Sequence, residues 1–294
     1  MKKRVGFVSI IGRPSSGKST LINYIYGYKV SIVSKHPQTT RFLIRGIYNS
    51  DDSQIIFIDS PGYHHFNSNL NKGLSNLAIR NLNDGDLILY LVDITRDFGE
   101  EEIDIIEKLK ESGKKDKIII TFNKIDEPEI KKETKEEILK RLGNLPYVEI
   151  SAKFGKNVDK LLSLIKERLP EGEMFYPEDY VTDQPIPFRI GEVVREKIFN
   201  NTRDEVPHST YVEVKDLKVY DNHIIANAII NVETDSQKGI LIGNKGSMIK
   251  KIGEQARKDL EDIFERKVSL FLSVKVDKNW RKNNDLLKKM FSIE

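Results

Sequence analysis

The chain has 294 residues, 38% of them apolar and 32% charged, with a net charge of +3, the balance of a globular protein long enough for two ordinary domains. No apolar run approaches the roughly 20 residues that cross a bilayer, and Met1-Lys2-Lys3-Arg4 leads straight into a strand, so neither a membrane span nor a signal peptide is expected. The absence of cysteine excludes disulfides, thiolate zinc sites and thiol catalysis, and it fits a cytosolic setting.

The first apolar run, Val5 to Ile11, predicts a buried strand, and Leu21 to Tyr26 predicts a helix. Between them, Gly12-Arg13-Pro14-Ser15-Ser16-Gly17-Lys18-Ser19-Thr20 meets the Gly-x-x-x-x-Gly-Lys-Ser spacing of a phosphate loop. Its glycines let consecutive amides turn inward on phosphates, Lys18 offsets the β/γ charge, and Ser19 offers its hydroxyl to magnesium. A plain glycine-rich turn is the alternative, and the strand before and helix after weigh against it.

Pro37-Gln38-Thr39-Thr40-Arg41 is a polar segment with two hydroxyls suited to magnesium, of which Thr40 is favoured over Thr39. The strand Gln54 to Asp59 then delivers Asp59-Ser60-Pro61-Gly62, where Asp59 can reach magnesium through water and the Gly62 amide can meet a γ-phosphate. Tyr63 follows, at the place where Ras-like enzymes carry a water-orienting glutamine, a task tyrosine cannot perform in the same way. His64 and His65 read as solvated loop residues rather than a general base.

Strands at Leu87 to Asp93 and Lys117 to Asn123 come next, and the second ends in Asn123-Lys124-Ile125-Asp126. Taken alone this is a surface turn. Beside a phosphate loop it selects the base: Asp126 can accept from both N1 and N2 of guanine, a pair adenine does not present. Asn123 can tie base and loops together, and the Lys124 stem can cover one ring face. The strand Tyr147 to Ile150 leads to Ser151-Ala152-Lys153, which supplies backbone contacts to the guanine oxygen. These residues reject an ATPase or kinase.

A helix with Val158, Leu161, Leu162, Ile165 and Leu169 at helical spacing stops at Pro170, closing a first domain over residues 1–170 with a mostly parallel sheet. Residues 171–187 read as an acidic, proline-containing linker. A second domain, 188–294, follows: a helix from Phe188 to Asn200, strands from Thr210 to Tyr220 and His223 to Val232, and a glycine-interrupted turn and helix from Ile240 to Phe264. An alternating strand from Val268 to Val276 and a charged helix from Asn279 complete it.

Ile242-Gly243-Asn244-Lys245-Gly246 is a Gly-x-x-Gly turn whose amides and Lys245 can approach a nucleic-acid backbone while a neighbouring apolar groove receives splayed bases. The order of elements separates it from a helix-turn-helix, and Lys238, Lys250 and Lys251 enlarge the basic face. Trp280, the single tryptophan, reads as an anchor to the sheet more readily than as a base-stacking platform.

The five nucleotide motifs in this order resemble the translation-factor-related GTPases, and the wording GRPSSGKSTLIN, PQTTR, QKGILIGNKGSMIKKIG and SVKVDKNWRKN is similar to the Era family over nearly the whole chain. The resemblance implies an α/β P-loop G domain followed by an α+β type II KH domain. It also implies GTP/GDP and Mg2+ as ligands and slow GTP hydrolysis. Gln38, Thr39, Thr40, Pro61, Gly62 and Tyr63 would lie in switches ordered by the γ-phosphate. By the same resemblance the partners are the 3′ end of 16S ribosomal RNA and the 30S subunit during its maturation. The setting is the cytoplasm, with peripheral association at the inner face of the membrane, and the chain is a monomer. Three departures stand out. Ser15 replaces an asparagine that can help hold potassium, which puts K+ stimulation in question; Ser60 replaces threonine; and Asn244-Lys245 moves the turn's lysine one residue along. A nucleotide-holding RNA module without turnover and a protein-binding hub are the other two function classes open at this level.

Overall fold

The computed structural model describes residues 2–34, 39–63, 69–283 and 285–287. They form two compact units, one of Met1–Val33 with Thr40–Asp183, the other of Gln184–Glu294 with Ser34–Thr39.

The first unit alternates strands and helices: β1 (Lys3–Ile11), α1 (Lys18–Tyr26), β2 (Ile44–Asn49), β3 (Ser53–Asp59), α2 (Asn69–Asp84), β4 (Leu87–Asp93) and α3 (Glu100–Glu111). It continues through β5 (Ile118–Asn123), α4 (Lys132–Leu142), β6 (Tyr147–Ile150), α5 (Val158–Arg168) and the short β7 (Glu171–Gly172). The main path of the sheet is β2-β3-β1-β4-β5-β6. β2 lies antiparallel to β3 and β7 antiparallel to β1, and the other neighbours are parallel. β3, β4 and β5 are buried along their whole length, so each reads as a continuous apolar run rather than an alternation. Parallel pairing sends the carboxyl ends of β1, β3, β4, β5 and β6 to one edge, where an open α/β sheet binds its ligands.

β2 has no clear signal in the sequence. Gly46 interrupts its pattern, and the absent side chain leaves room for Tyr26, whose Cε2 would lie 2.6 Å from a Cβ there. Residues 171–183, read from sequence as part of a linker, pack on this unit. Gln54 is fully buried; its Oε1 accepts from the amides of Phe175 and Tyr176 at 2.8 and 3.0 Å, and its Nε2 donates to the Tyr176 carbonyl at 2.8 Å. Asn49 donates to the carbonyls of Glu178 and Tyr180, and the Ile47 amide donates to the Val181 carbonyl at 2.9 Å, which covers the free edge of β2. The acidic residues meet cations: Glu178 with Lys3 at 2.7 Å and Asp183 with Arg45 at 3.0 Å. Two amide side chains thus satisfy the backbone of a segment that, beyond the short β7, has little regular structure of its own.

The second unit contains α6 (Ile186–Asn201), β8 (Tyr211–Val219), β9 (His223–Val232), α7 (Asp235–Ile242), α8 (Ser247–Phe264) and β10 (Lys267–Val276). Its sheet has the order β10-β9-β8; β10 is parallel to β9 over its full length and β8 antiparallel to it. Ile190, Val194 and Ile198 of α6, Ala226 and Ile230 of β9, and Ile252, Ala256 and Leu260 of α8 form the core. α7 is a separate helix where the sequence suggested one interrupted segment. A reciprocal cap begins it: Thr234 Oγ1 accepts from the Gln237 amide, and Gln237 Oε1 accepts from the Thr234 amide, each at 3.2 Å.

Much of the expected C-terminal helix falls outside the described residues. Within them, Trp280 is 1% exposed, donates its indole N–H to the Ser209 carbonyl at 2.9 Å and meets Tyr211 edge-on at 4.9 Å. It is an anchor. Trp280→Phe leaves that carbonyl unpaired and opens a small void, at a cost of about 2 to 3 kcal/mol; urea unfolding followed by far-UV circular dichroism should show the loss.

Candidate nucleotide and nucleic-acid sites

The phosphate-loop residues Gly12 to Thr20 link β1 to α1. Gly17 has φ 101°, and a Cβ on it would lie 2.2 Å from Asn123 Nδ2, so backbone and space both require glycine. Asn123, at the end of β5, donates to the Ser16 carbonyl at 2.8 Å and accepts from the Ala152 amide at 2.9 Å. One side chain therefore joins the phosphate loop, the Asn123-Lys124-Ile125-Asp126 turn and the Ser151-Ala152-Lys153 loop. Lys124 adopts a left-handed conformation and pairs with Asp93, which also accepts from the Thr95 amide and hydroxyl. Asp126 and Lys153 are exposed, and Lys153 Nζ lies 4.9 Å from the centre of the Phe154 ring.

Ser19, Thr40 and Asp59 converge from three separate elements. Ser19 Oγ donates to Asp59 Oδ2 at 2.7 Å and lies 3.1 Å from Thr40 Oγ1. Asp59 Oδ1 is buried with no hydrogen-bond partner among the described residues. Two hydroxyls and a carboxylate with an unsatisfied oxygen are the hard donors that suit magnesium, which keeps several waters and takes few protein ligands. Burial raises the Asp59 pKa, and Lys18 and the Ser19 hydroxyl oppose the rise. Lys18 donates to the carbonyls of Gly12 and Arg13 at 3.1 and 2.9 Å; its burial lowers its pKa to about 8, with Asp59 and Glu102 pulling the other way.

Gly62 packs against the loop: a Cβ there would lie 2.6 Å from Pro14 Cα, a close approach that glycine alone permits. The Tyr63 amide donates to the Gly12 carbonyl at 3.1 Å, and its ring packs against the core cluster that includes Ile105 and Ile106 of α3. Thr39 is buried, with its hydroxyl 2.6 Å from that of Ser34, while Gln38, His64 and His65 lie outside the described residues.

In the second unit, Gly243, Asn244, Lys245 and Gly246 form the turn between α7 and α8. Gly243, Lys245 and Gly246 all have positive φ. Asn244, Lys245, Lys250 and Lys251 are exposed, and Lys238, Ile242, Gly243 and Gly246 are half-buried. Beside the turn runs a groove of about 440 Å3 between α8 (Ile249, Lys250, Gly253, Glu254, Arg257) and β10 from Val268 to Leu272. Phe271 on β10 is 59% exposed. The sequence pattern put it on the polar face of a half-buried strand, and the alternation alone gave no reason to single it out.

A family model described as a 50S ribosome-binding GTPase matches residues 7–124, and a KH domain model matches residues 205–281. GTPase Era of Treponema denticola is 45% identical over 291 residues, covering 97% of this chain and 98% of its own length. GTPase Era of Clostridium botulinum is 46% identical over 290 residues, covering 97% of each chain. Two solved structures have a TM-score of 0.92 and cover 99% of each chain. One is Era in complex with MgGDPNP and nucleotides 1506–1542 of 16S ribosomal RNA, 37% identical. The other is Aquifex aeolicus Era Y63A bound to GDP·AlF4−, 38% identical.

Two consequences follow from the geometry. Asn123→Ala leaves the Ser16 carbonyl and the Ala152 amide unpaired in a buried place, a loss of about 2 to 4 kcal/mol, which thermal unfolding should register together with weakened guanine-nucleotide binding. Lys18 must be charged to meet phosphates. Because its pKa before binding is about 8, binding takes up a proton above that pH. The association constant should then fall as pH rises past 8, approaching about tenfold per unit. Calorimetry in two buffers of different ionisation heat would reveal the proton.

Proposed function

The chain belongs to the Era family of GTPases, and from that premise we infer that it is a GTP-switched RNA-binding protein acting on the 3′ end of 16S ribosomal RNA during assembly of the 30S subunit. The observation that carries the nucleotide half is the meeting of Ser19, Thr40 and Asp59 beside Lys18. The RNA half is supported by the Gly243 to Gly246 turn with its groove, and by the relative bound to nucleotides 1506–1542 of 16S ribosomal RNA.

In this reading residues 12–20 and Gly62 hold the phosphates, and Asn123, Lys124, Asp126 and the 151–153 loop hold guanine. Ser19, Thr40 and, through water, Asp59 hold magnesium. That ion, when bound, draws charge from the β- and γ-phosphate oxygens. Lys18 adds the protein's own positive charge at the same oxygens, where the transition state of phosphoryl transfer needs it. The Tyr63 ring is packed against the core cluster rather than free to orient water, so intrinsic turnover is slow and a partner accelerates it. Residues 38–40 and 61–63 are the switches. Lys238, Ile242, the turn Gly243 to Gly246, Lys250 and Lys251 contact RNA. The functional division is a G domain over 1–170, a connecting segment over 171–187 and a KH domain over 188–294.

The setting belongs to the same proposal: a cytoplasmic monomer whose association with the membrane is peripheral. No helix among the described residues is long and apolar enough to cross a membrane.

The test is phosphate release from GTP with magnesium, with and without an oligonucleotide copying the 3′ tail of 16S ribosomal RNA. The tail should stimulate release and a scrambled sequence should not; equal rates would overturn the coupling. Asp126→Asn removes an acceptor for two guanine donors and should weaken GTP by roughly a hundredfold or more, while improving binding of xanthosine triphosphate, as competition with a fluorescent nucleotide would measure.

A further inference from the structure

One residue of the phosphate loop, Arg13, has its side chain committed to protein partners. Arg13 is 12% exposed, and its guanidinium is turned onto the first turn of α3. Its Nε donates to Glu101 Oε2, its Nη1 donates to the Asp97 carbonyl at 3.3 Å, and Nη1 lies 3.7 Å from Glu102 Oε1. Glu102 is 1% exposed and accepts from the hydroxyl of Tyr90, a fully buried residue of β4. The next residue is held from the same side, since Arg96 Nη1 donates to the Pro14 carbonyl at 3.2 Å.

The main chain of this same stretch serves the other side of the loop. The Arg13 carbonyl accepts from Lys18 Nζ at 2.9 Å and from the Ser16 amide at 3.3 Å. Pro14 is the surface against which Gly62 packs, and the Gly12 carbonyl accepts from the Tyr63 amide. Any drift of Gly12 to Pro14 would therefore move the lysine's acceptors and the seat of the second switch together. A buried carboxylate is a costly way to fill space, because an apolar side chain of similar volume packs as well without a desolvation penalty. Two carboxylates on one arginine, one of them held in turn by a tyrosine hydroxyl, are better explained by the geometry they impose than by stability.

We propose that Glu101 and Glu102 are positioning residues for the nucleotide, acting through Arg13 to hold the first half of the phosphate loop in its binding shape. The idea rests on the reading of residues 12–20 as the phosphate loop. That half of the loop serves GDP and GTP alike, so release of both nucleotides depends on the clamp, and because Lys18 and Gly62 rest on it the chemical step is touched as well.

The experiment compares the full-length wild type with Glu101→Gln/Glu102→Gln, Arg13→Gln and the triple variant. It measures release of fluorescent GDP and of a non-hydrolysable GTP analogue by stopped flow, and kcat at saturating GTP. The carboxylate pair variant should release both nucleotides about tenfold faster, with a smaller fall in kcat, about threefold. Arg13→Gln should match it in release, and the triple variant should add nothing, since residues acting through one another are not additive. Glu101→Gln alone, at a partly exposed position, should show about a threefold effect and guards against a folding defect in the buried variant. Unchanged release in the carboxylate variants, or release rates that multiply in the triple variant, would overturn the clamp while leaving the nucleotide site standing. A wild type that bound neither nucleotide would overturn the phosphate-loop reading and the clamp with it.

Discussion

The side chain of Asn123 is the constraint on which the nucleotide half of the molecule depends. It donates to the Ser16 carbonyl and accepts from the Ala152 amide, so it fixes the distance between the 12–20 loop and the 123–126 and 151–153 loops. These loops leave the ends of different strands, and strand ends alone do not fix loops to within the tolerance that recognition needs. The residue also sets the sequence of its partner. Its amide occupies the space where a side chain on Gly17 would stand, so glycine is required there by Asn123 as well as by the left-handed backbone. Contacts of the protein with itself thus set the spacing of these loops, and groups already ordered in this way spare binding the entropy of ordering them.

The electrostatics follow from that rigidity. Lys18 and Asp59 are both buried, and burial pushes each toward its neutral form, the lysine pKa down and the aspartate pKa up. Each opposes the other's shift, but neither is fully compensated, and Asp59 keeps an oxygen without a partner among the described residues. A pair left in this condition favours a ligand that brings the missing charges, a polyphosphate for the lysine and a divalent cation for the carboxylate. Such a ligand recovers part of the desolvation cost already spent in folding, which gives binding a driving force that a solvent-exposed pair would lack.

Much of this was legible from the sequence because its signals are local. A phosphate loop is a run of adjacent residues, and a fully buried parallel strand is a run of apolar ones; β9 was read with its observed ends, His223 and Val232. What escaped was set by partners far away in the chain. β2 is recognisable only through its pairing with β3 and the fit of Tyr26 at Gly46. The segment 171–183 looks like a linker because it is acidic, carries Pro177 and shows no periodicity, yet Gln54, more than a hundred residues earlier, holds its backbone. Trp280 was read correctly as an anchor, but its partner Ser209 could not be named from pattern alone. Arg13 and Glu101, 88 residues apart, carry no periodicity that links them. Ser19 stands 21 and 40 residues from Thr40 and Asp59, and the three are legible only because each sits in a motif whose order in the chain is itself informative.

The turn between α7 and α8 shows how a departure in sequence becomes a physical choice. Lys245 has φ 50°, a left-handed conformation that a side chain disfavours by about 1 to 2 kcal/mol. A glycine at that position would remove the strain. It would also remove the ammonium, which here stands exposed between two glycines that turn the chain on either side. Gly243 cannot give up its own freedom in exchange, because a Cβ there would lie 2.8 Å from Met248 Cβ and the Met248 amide. With Gly243 fixed by α8 and Gly246 starting that helix, only positions 244 and 245 can carry a side chain. Placing the lysine at 245 sets its charge immediately before the helix amino end, where the partial positive charge of the first amides adds to it. The strain and the positive potential therefore arise from the same residue, and an anion is the ligand that such a potential favours.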